Sequence, residues 1–363
     1  MKIYNRISAA ERIFRGRGIY VAFLPVRVVL SFLYRIIISL RGKFSKKSEY
    51  GKEKKISAVV ISVGNLVVGG GGKTPCAISL VKALRERGFK PAILTRGYGS
   101  RAEKAGRTVV LRASGDPGSG EMSGREYALY YGDELAIYRN ESVPVILDPN
   151  RKRGLRAGTL TLKPTHVIMD DAFQNLEIHK DHDILLLDHS DPFGGGKMLP
   201  WGTLRERPEE AVRADILIFT RSSSDRIPAE ARNLVEGKKI FFSRHEYAGI
   251  YGRDGEKIER GELDGRRVAL YSGIAIPESF EDTFEEHFRE PDFSFRFSDH
   301  HMYDKEDIRF MADRVPDGTA FITTEKDWHK SAELFVPDID IYLFRIRFVI
   351  DEMDRLIQLI ISP

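Results

Sequence analysis

Short apolar runs recur through most of this chain, each closed by a polar residue or a glycine. KISAVVISVGNL comes first, and KPAILTR, PVILD, HVIMDD, DILLLD and ADILIFTR follow it. Each run has strand length, and the segments between them have helical or loop character. CAISLVKALRERG, for example, carries helical spacing that stops at Gly88. Strands alternating with helices predict an α/β fold with a doubly wound, mostly parallel sheet. KKIFFSRHEY, near residues 239–247, leads into a smaller α/β region containing RRVALYSGI, FSFRFSDH, TAFITTEKD and IDIYLFRIRF. No internal repeat or low-complexity tract interrupts the series.

A different pattern precedes the first strand. GIYVAFLPVRVVLSFLYRIIISL runs from Gly18 to Leu40 and is long enough to span a bilayer. Arg27, Ser31, Arg35 and Ser39, however, fall four residues apart and form one slowly turning polar stripe on a helix. Arginines in mid-span are costly in hydrocarbon. A helix lying in the membrane surface therefore fits better than one crossing it, and Arg41, Lys43, Lys46 and Lys47 would favour anionic headgroups. A soluble helix packing on its own protein is the competing reading. The arginines and the missing cleavage site argue against a signal peptide.

Charge sharpens this picture. The net charge is +4, but residues 1–55 hold fourteen Lys and Arg against three Asp and Glu, a balance of +11 that leaves −7 for the rest. Basic character thus belongs to the N-terminal segment, and no nucleic-acid groove is indicated elsewhere. The single cysteine, Cys76, excludes an intramolecular disulfide and fits a reducing compartment. At 363 residues the chain is too long for one core. The expected division is a basic amphipathic segment over 1–50, a main core over 51–237 and a smaller α/β domain over 238–363.

The chemistry begins at SVGNLVVGGGGKTP, residues 62–75. After a strand, Gly69, Gly70, Gly71 and Gly72 can turn backbone N–H groups toward a phosphate. Lys73 can reach β- and γ-phosphates, and the Thr74 hydroxyl can hold Mg²⁺. Pro75 suits the first helical turn. The strict phosphate-loop pattern would place glycine at position 67, where this chain has Val67. HVIMDD ends in Asp170 and Asp171, at the strand edge where open α/β sheets bind ligands, and a carboxylate there can hold Mg²⁺. In GDE, Asp133 can accept a proton from a substrate hydroxyl and Glu134 can reach a metal. The same acids would also serve as a helix start. In SDHHMY, adjacent His300 and His301 are poorly placed to share a metal, so one of them pairing with a catalytic carboxylate is the better expectation.

SVGNLVVGGGGKTP, LTRGYGS, GDE, DDAFQNL, LLLD, MLPWGTLRE, SGIAIPESF, FSDHHMY and TTEKDWHK occur in one order along the chain. Together they closely resemble the tetraacyldisaccharide 4′-kinase family of Gram-negative bacteria over roughly residues 18–330. The resemblance implies a phosphate-loop kinase that uses ATP and Mg²⁺. Its acceptor is the 4′-hydroxyl of a tetraacylated glucosamine disaccharide 1-phosphate, and its product is lipid IVA of lipid A biosynthesis. It also implies a monotopic or peripheral place at the cytoplasmic face of the inner membrane. Lys73 and Thr74 match the family's loop lysine and Mg²⁺-binding threonine. Asp133 matches its proposed base, and His300 the histidine thought to pair with that base. Glu134, Asp170 and Asp171 match acids near metal and substrate. Arg96, Tyr98, Gln174, Arg205 and Glu206 match residues lining the site. Two positions depart from the pattern: Gly71 stands where the family often has Thr or Ser, and Asn175 where it often has His.

Two other classes compete. A phosphate-loop switch would hydrolyse nucleotide without a lipid acceptor, but the related dimeric switches carry a second lysine early in the loop, which Asn65 to Val68 lack. An inactive membrane scaffold conflicts with the intact Lys73, Thr74, Asp133 and Asp170.

Overall fold

Each apolar run of the sequence forms a strand. In chain order the strands are β1 (Lys2–Arg6), β2 (Val59–Asn65), β3 (Pro91–Thr95), β4 (Val109–Leu111), β5 (Val145–Leu147), β6 (His166–Asp170), β7 (His182–Asp188), β8 (Ile216–Thr220), β9 (Lys239–Tyr251), β10 (Lys257–Ile258), β11 (Val268–Ser272), β12 (Phe293–Phe297), β13 (Ala320–Thr324) and β14 (Ile341–Ile350). The computed structural model describes residues 1–6, 24–45, 56–112 and 122–362. Gly18 to Phe23 and most of the glycine-rich insert, residues 115–121, lie outside these residues. So do Lys46, Lys47 and the side chains of Ser39, Arg41 and Lys43.

Two compact units interleave along the chain, where the sequence suggests consecutive stretches meeting near residues 50 and 237. The larger is drawn from Val21–Gly120, Tyr138–His245 and Phe348–Pro363, the smaller from Met1–Tyr20, Glu121–Ile137 and Glu246–Arg347. Parallel strands need long crossover connections, so sheet neighbours come from distant parts of the chain.

In the larger unit the strand order is β9-β8-β7-β2-β6-β3-β5-β4. Every neighbouring pair is parallel except the β4–β5 edge. One face packs Leu66, Phe173, Leu185, Leu217 and Phe219; another cluster gathers Val60, Leu94, Ile146, Val167 and Met169. Strand β2 lies between β6 and β7, with Val63 opposite Asp170. The glycine loop therefore leaves the carboxyl edge of the sheet beside the acids that end β6. The following helix, Lys73–Glu86, buries Cys76, Ala77, Leu80, Val81 and Leu84, one face at helical spacing. The chain's last helix, Met353–Ile361, also belongs to this unit and buries Leu356, Ile357 and Ile360. It ties to the loop helix through Arg87 and Asp354, and the Ser79 hydroxyl donates to the Phe348 carbonyl at 2.8 Å.

The smaller unit has a parallel sheet ordered β1-β12-β11-β13-β14. Its core is aromatic: Tyr271, Phe293, Phe295, Phe297, Tyr303 and Phe321. Residues 2–6 correct the sequence expectation. Composition places them in the basic N-terminal segment, yet they form an edge strand on β12, with Arg6 Nε 3.0 Å from Asp307. KIYNR is too short and too polar to announce a strand; a ready sheet edge supplies the hydrogen bonds.

The N-terminal helix spans Leu24–Ser45. Two residues of its polar stripe, Arg27 and Ser31, face the protein, while Arg35 is exposed. Ser31 is 7% exposed and donates to the Met198 carbonyl at 3.0 Å, and Arg27 donates twice to the Pro200 carbonyl at 3.0 and 2.7 Å. The apolar residues point outward: Val29 is 59%, Phe32 62% and Ile37 62% exposed. Among the described residues no helix is long and apolar enough to cross a membrane.

Candidate active site

The glycine loop is shaped by its neighbours. Gly72 has φ +78° at the helix start, a conformation that L side chains adopt at a cost. A Cβ at Gly71 would stand 2.5 Å from Asn65 Nδ2, so glycine here leaves room for the buried Asn65 amide. Lys73 Nζ donates to Asn65 Oδ1 at 3.4 Å and to the Gly69 carbonyl at 3.3 Å, and lies 3.8 Å from Asp171 Oδ1. The helix N-terminus adds positive potential where these donors converge, which suits an anion.

The acids of β6 play separate parts. Asp170 is buried, and its Oδ2 accepts from Tyr138 Oη at 2.5 Å and from Thr74 Oγ1 at 3.3 Å. Its Oδ1 is buried with no hydrogen-bond partner. Burial raises the Asp170 pKa, and the nearby Asp171 adds to the rise, against the opposing pull of Tyr138 and Lys73. Asp171 takes φ +48°. Burial pushes its carboxyl up, but Lys73 and Arg205 together hold it below the usual range. Arg205 Nη1 grips both Asp171 oxygens, at 2.8 and 2.9 Å.

Arg205 closes a loop that is laced to the glycine loop's entry. Val67, where a phosphate loop usually has glycine, pairs with Leu204 in an antiparallel bridge. Arg205 N donates to the Leu66 carbonyl at 2.7 Å, and Val68 N to the Thr203 carbonyl at 2.8 Å. Gln174 Nε2 donates to the Asn65 carbonyl at 2.8 Å. Glu206, expected to line the site, is instead buried in an ion pair with Arg213 at 2.6 Å. Arg96 pairs with Glu103 at 2.5 Å, and Tyr98 is 70% exposed, both just beyond β3. Asn175 Oδ1 accepts from the N–H groups of Glu177 and Ile178, a turn role that needs no imidazole.

The smaller unit holds a second cluster. Asp133 opens the helix Asp133–Asn140 and is 6% exposed. His300 Nδ1 lies 2.9 Å from its Oδ2 and 3.2 Å from its Oδ1, the pairing expected from the sequence. Lys326 Nζ is 3.5 Å and Lys330 Nζ 3.7 Å from the same carboxylate. Burial raises the Asp133 pKa, but His300, Lys326 and Lys330 overcome that and hold it far below the carboxylate range. Burial and the nearby Lys326 lower the His300 pKa, but the Asp133 hydrogen bond together with the charges of Asp133 and Asp299 outweighs them, so the net shift is upward. The result is a base candidate held in its ionised form before reaction. His301 points elsewhere: Nε2 meets Asp307 at 2.7 Å and the ring stacks on Phe297. Glu134 is half-buried in the first turn beside Asp133, and its backbone N–H bonds to Asp133 Oδ1 at 3.0 Å. Among the described residues no group of three or more His, Cys, Asp or Glu is placed to hold a metal.

A family model for tetraacyldisaccharide-1-P 4′-kinase matches residues 24–362. The chain belongs to the tetraacyldisaccharide 4′-kinase family. A tetraacyldisaccharide 4′-kinase of Syntrophus aciditrophicus is 34% identical over 323 residues, covering 84% of each chain. One of Desulfatibacillum aliphaticivorans is 33% identical over 343 residues, covering 90% of this chain and 89% of the relative. Among solved structures, LpxK from Aquifex aeolicus in complex with ATP superposes with a TM-score of 0.69 at 28% identity, covering 94% of this chain and 99% of that one. The protein is accordingly an α/β kinase of this family.

For this kinase, sequence reasoning missed Asn65, Tyr138, Lys326 and Lys330. Lys326 and Lys330 sit in TTEKDWHK, which helped mark the family but received no role. The signal was their spacing: on the helix Glu325–Ser331 residues four apart share a face, and here both face Asp133. Lys330 is fully buried and lies 3.0 Å from the equally buried Asp327. Asn65 and Tyr138 read as an ordinary strand end and core aromatic.

Proposed function

We propose that this kinase transfers the γ-phosphoryl group of ATP to the 4′-hydroxyl of a tetraacylated glucosamine disaccharide 1-phosphate, forming lipid IVA in lipid A biosynthesis. The observation that carries the reading is the Asp133–His300 pair, 2.9 Å apart, in a chain that also builds the glycine loop. Phosphoryl transfer needs positioning and charge neutralisation more than covalent chemistry. The loop N–H groups and Lys73 take the phosphates. Asp133 accepts the sugar hydroxyl's proton, while His300 orients the carboxylate and Lys326 and Lys330 keep it ionised. Arg96, Tyr98, Asp171, Gln174 and Arg205 are proposed to frame the ligands; Glu206 contributes by steadying Arg213.

The donors around Asp170 fit a divalent cation. Its buried Oδ1 lacks a partner, its burial disfavours an uncompensated charge, and the Thr74 hydroxyl lies 3.3 Å from its other oxygen. Thr74 and Asp170 would hold Mg²⁺, which when bound neutralises charge on the phosphates.

The outward apolar face of the Leu24–Ser45 helix supports a peripheral seat on the cytoplasmic face of the inner membrane. Extracting each acyl CH₂ from lipid costs about 0.8 kcal/mol, so an acceptor left partly in the bilayer is reached most cheaply from its surface.

The test is transfer of ³²P from γ-labelled ATP to tetraacyldisaccharide 1-phosphate in detergent micelles, with Asp133→Ala beside the wild type. A labelled bisphosphorylated glycolipid, absent with the variant, is expected. ATP hydrolysis without glycolipid labelling would instead reject this acceptor.

A further inference from the structure

The N-terminal helix does more in this structure than display an apolar face. Its polar edge reaches one loop of the larger unit. Arg27 donates to the Pro200 carbonyl, Ser31 to the Met198 carbonyl at 3.0 Å, and Tyr34 Oη to the Arg205 carbonyl at 3.1 Å. Tyr34 also packs against the cluster that includes Leu66, Met198 and Leu204. The same loop is bonded backbone to backbone to Leu66 and Val68, the entry of the glycine loop. Its last residue, Arg205, holds both oxygens of Asp171, which in turn lies 3.8 Å from Lys73 Nζ.

We propose that Ser31 and Tyr34 are positioning residues for the nucleotide site: they splint the Met198–Arg205 loop, and through it the glycine-loop entry and the Arg205–Asp171–Lys73 chain. The inference rests on the kinase reading above, but concerns a different property from membrane attachment. The helix divides its work by face. Val29, Phe32 and Ile37 turn outward, while Ser31 is buried against the loop. A hydroxyl that donates to a backbone carbonyl restrains that carbonyl, and its removal leaves a partly buried acceptor without the bond. Loss at Tyr34 frees the carbonyl of the very residue whose N–H bonds to Leu66 and whose guanidinium holds Asp171. Spatial continuity alone does not establish coupling, so the test is a cycle of variants.

ATP binding by the full chain is measured calorimetrically in detergent with Mg²⁺ and without acceptor, alongside flotation with phosphatidylglycerol vesicles. The double variant Ser31→Ala/Tyr34→Phe is expected to weaken ATP binding about three- to tenfold, the effect of losing one or two hydrogen bonds, with flotation unchanged. Phe32→Ser/Ile37→Ser is expected to do the reverse, losing flotation with ATP affinity intact. In an Arg205→Lys background the Tyr34→Phe change should add almost nothing. Undiminished ATP affinity in the double variant, or full additivity with Arg205→Lys, overturns the inference while leaving the kinase reading in place. A wild type that binds no ATP overturns both. The single variant Tyr34→Phe deletes one oxygen and keeps the ring in its cluster, so it separates positioning from failure to fold.

Discussion

The glycine loop and its lysine belong to one short segment of chain; the Asp133 cluster draws its side chains from three distant positions. The loop's shape follows from local chain geometry, with Gly72 in a left-handed conformation and Lys73 folded back on Asn65 and Gly69. The Asp133 cluster depends on the fold to bring residue 133 to residues 300, 326 and 330. Their electrostatics differ too. Asp170 is left under-compensated in its burial, with its pKa raised, whereas Asp133 is over-compensated and held ionised. A carboxyl short of positive charge is a place for a cation to bind; one surrounded by cations is poised to take a proton only when a reacting group supplies it.

The sharpest way to break this contrast is by rate. Asp133→Asn should slow transfer about 10²- to 10⁴-fold, the usual worth of a positioned base, with ATP affinity retained. Lys73→Ala should chiefly weaken ATP binding. Single-turnover kinetics with separate nucleotide titrations distinguish the two, and an Asp133→Asn enzyme with normal turnover would dismiss the base.

Stability should separate the sites next. Lys330→Met leaves the fully buried Asp327 without its partner at 3.0 Å and should cost about 3–5 kcal/mol in urea unfolding. Asp171→Asn, at a side chain 36% exposed, should cost under about 1 kcal/mol. Equal losses would mean that the lysine cluster is not the more tightly balanced of the two.

Backbone geometry gives a smaller effect. Gly72→Ala puts a Cβ at φ +78° and 3.0 Å from Phe348 Cε2, for about 1–2 kcal/mol of strain. Reduced ATP affinity with the thermal midpoint lowered by a few degrees is expected; unchanged values would show that the loop does not need its left-handed turn.

The smallest effect is that of pH. The His300 pKa is raised in the folded state, so the stability it contributes is complete below its unfolded value of about 6.5 and fades as pH climbs through the folded one. Asp133, with a depressed pKa, loses its contribution only in acid. His300→Gln should therefore flatten the decline in stability between neutral and alkaline pH, by less than about 1 kcal/mol because the imidazole is 37% exposed and screened. Unfolding midpoints of both proteins across that range provide the measurement, and parallel curves would contradict the assignment.

Much of the nucleotide half is legible in the sequence, because its parts are contiguous and each answers to a local rule. A strand of apolar residues, glycines that allow a turn, and a lysine and threonine at a helix start form one readable phrase. Its supports are not legible there. Asn65 under Gly71, Tyr138 on Asp170 and Phe348 beside Gly72 come from ordinary-looking positions, and the closing helix Met353–Ile361 carries no motif. Glu206 shows the converse: it sits in a recognisable LRE phrase, yet its carboxylate serves Arg213.

By itself, the sequence determined the strand and helix alternation, the glycine loop, the acids that end β6 and the amphipathic character of the first helix. These depend on neighbours a few residues away, through side-chain periodicity and backbone freedom. Tertiary structure alone decided that the helix seats Ser31 against the protein, that residues 2–6 join a sheet edge, and that two lysines and a histidine converge on Asp133. Periodicity defines a face but not what it faces, and a buried charge is settled only by partners that the fold delivers from far along the chain.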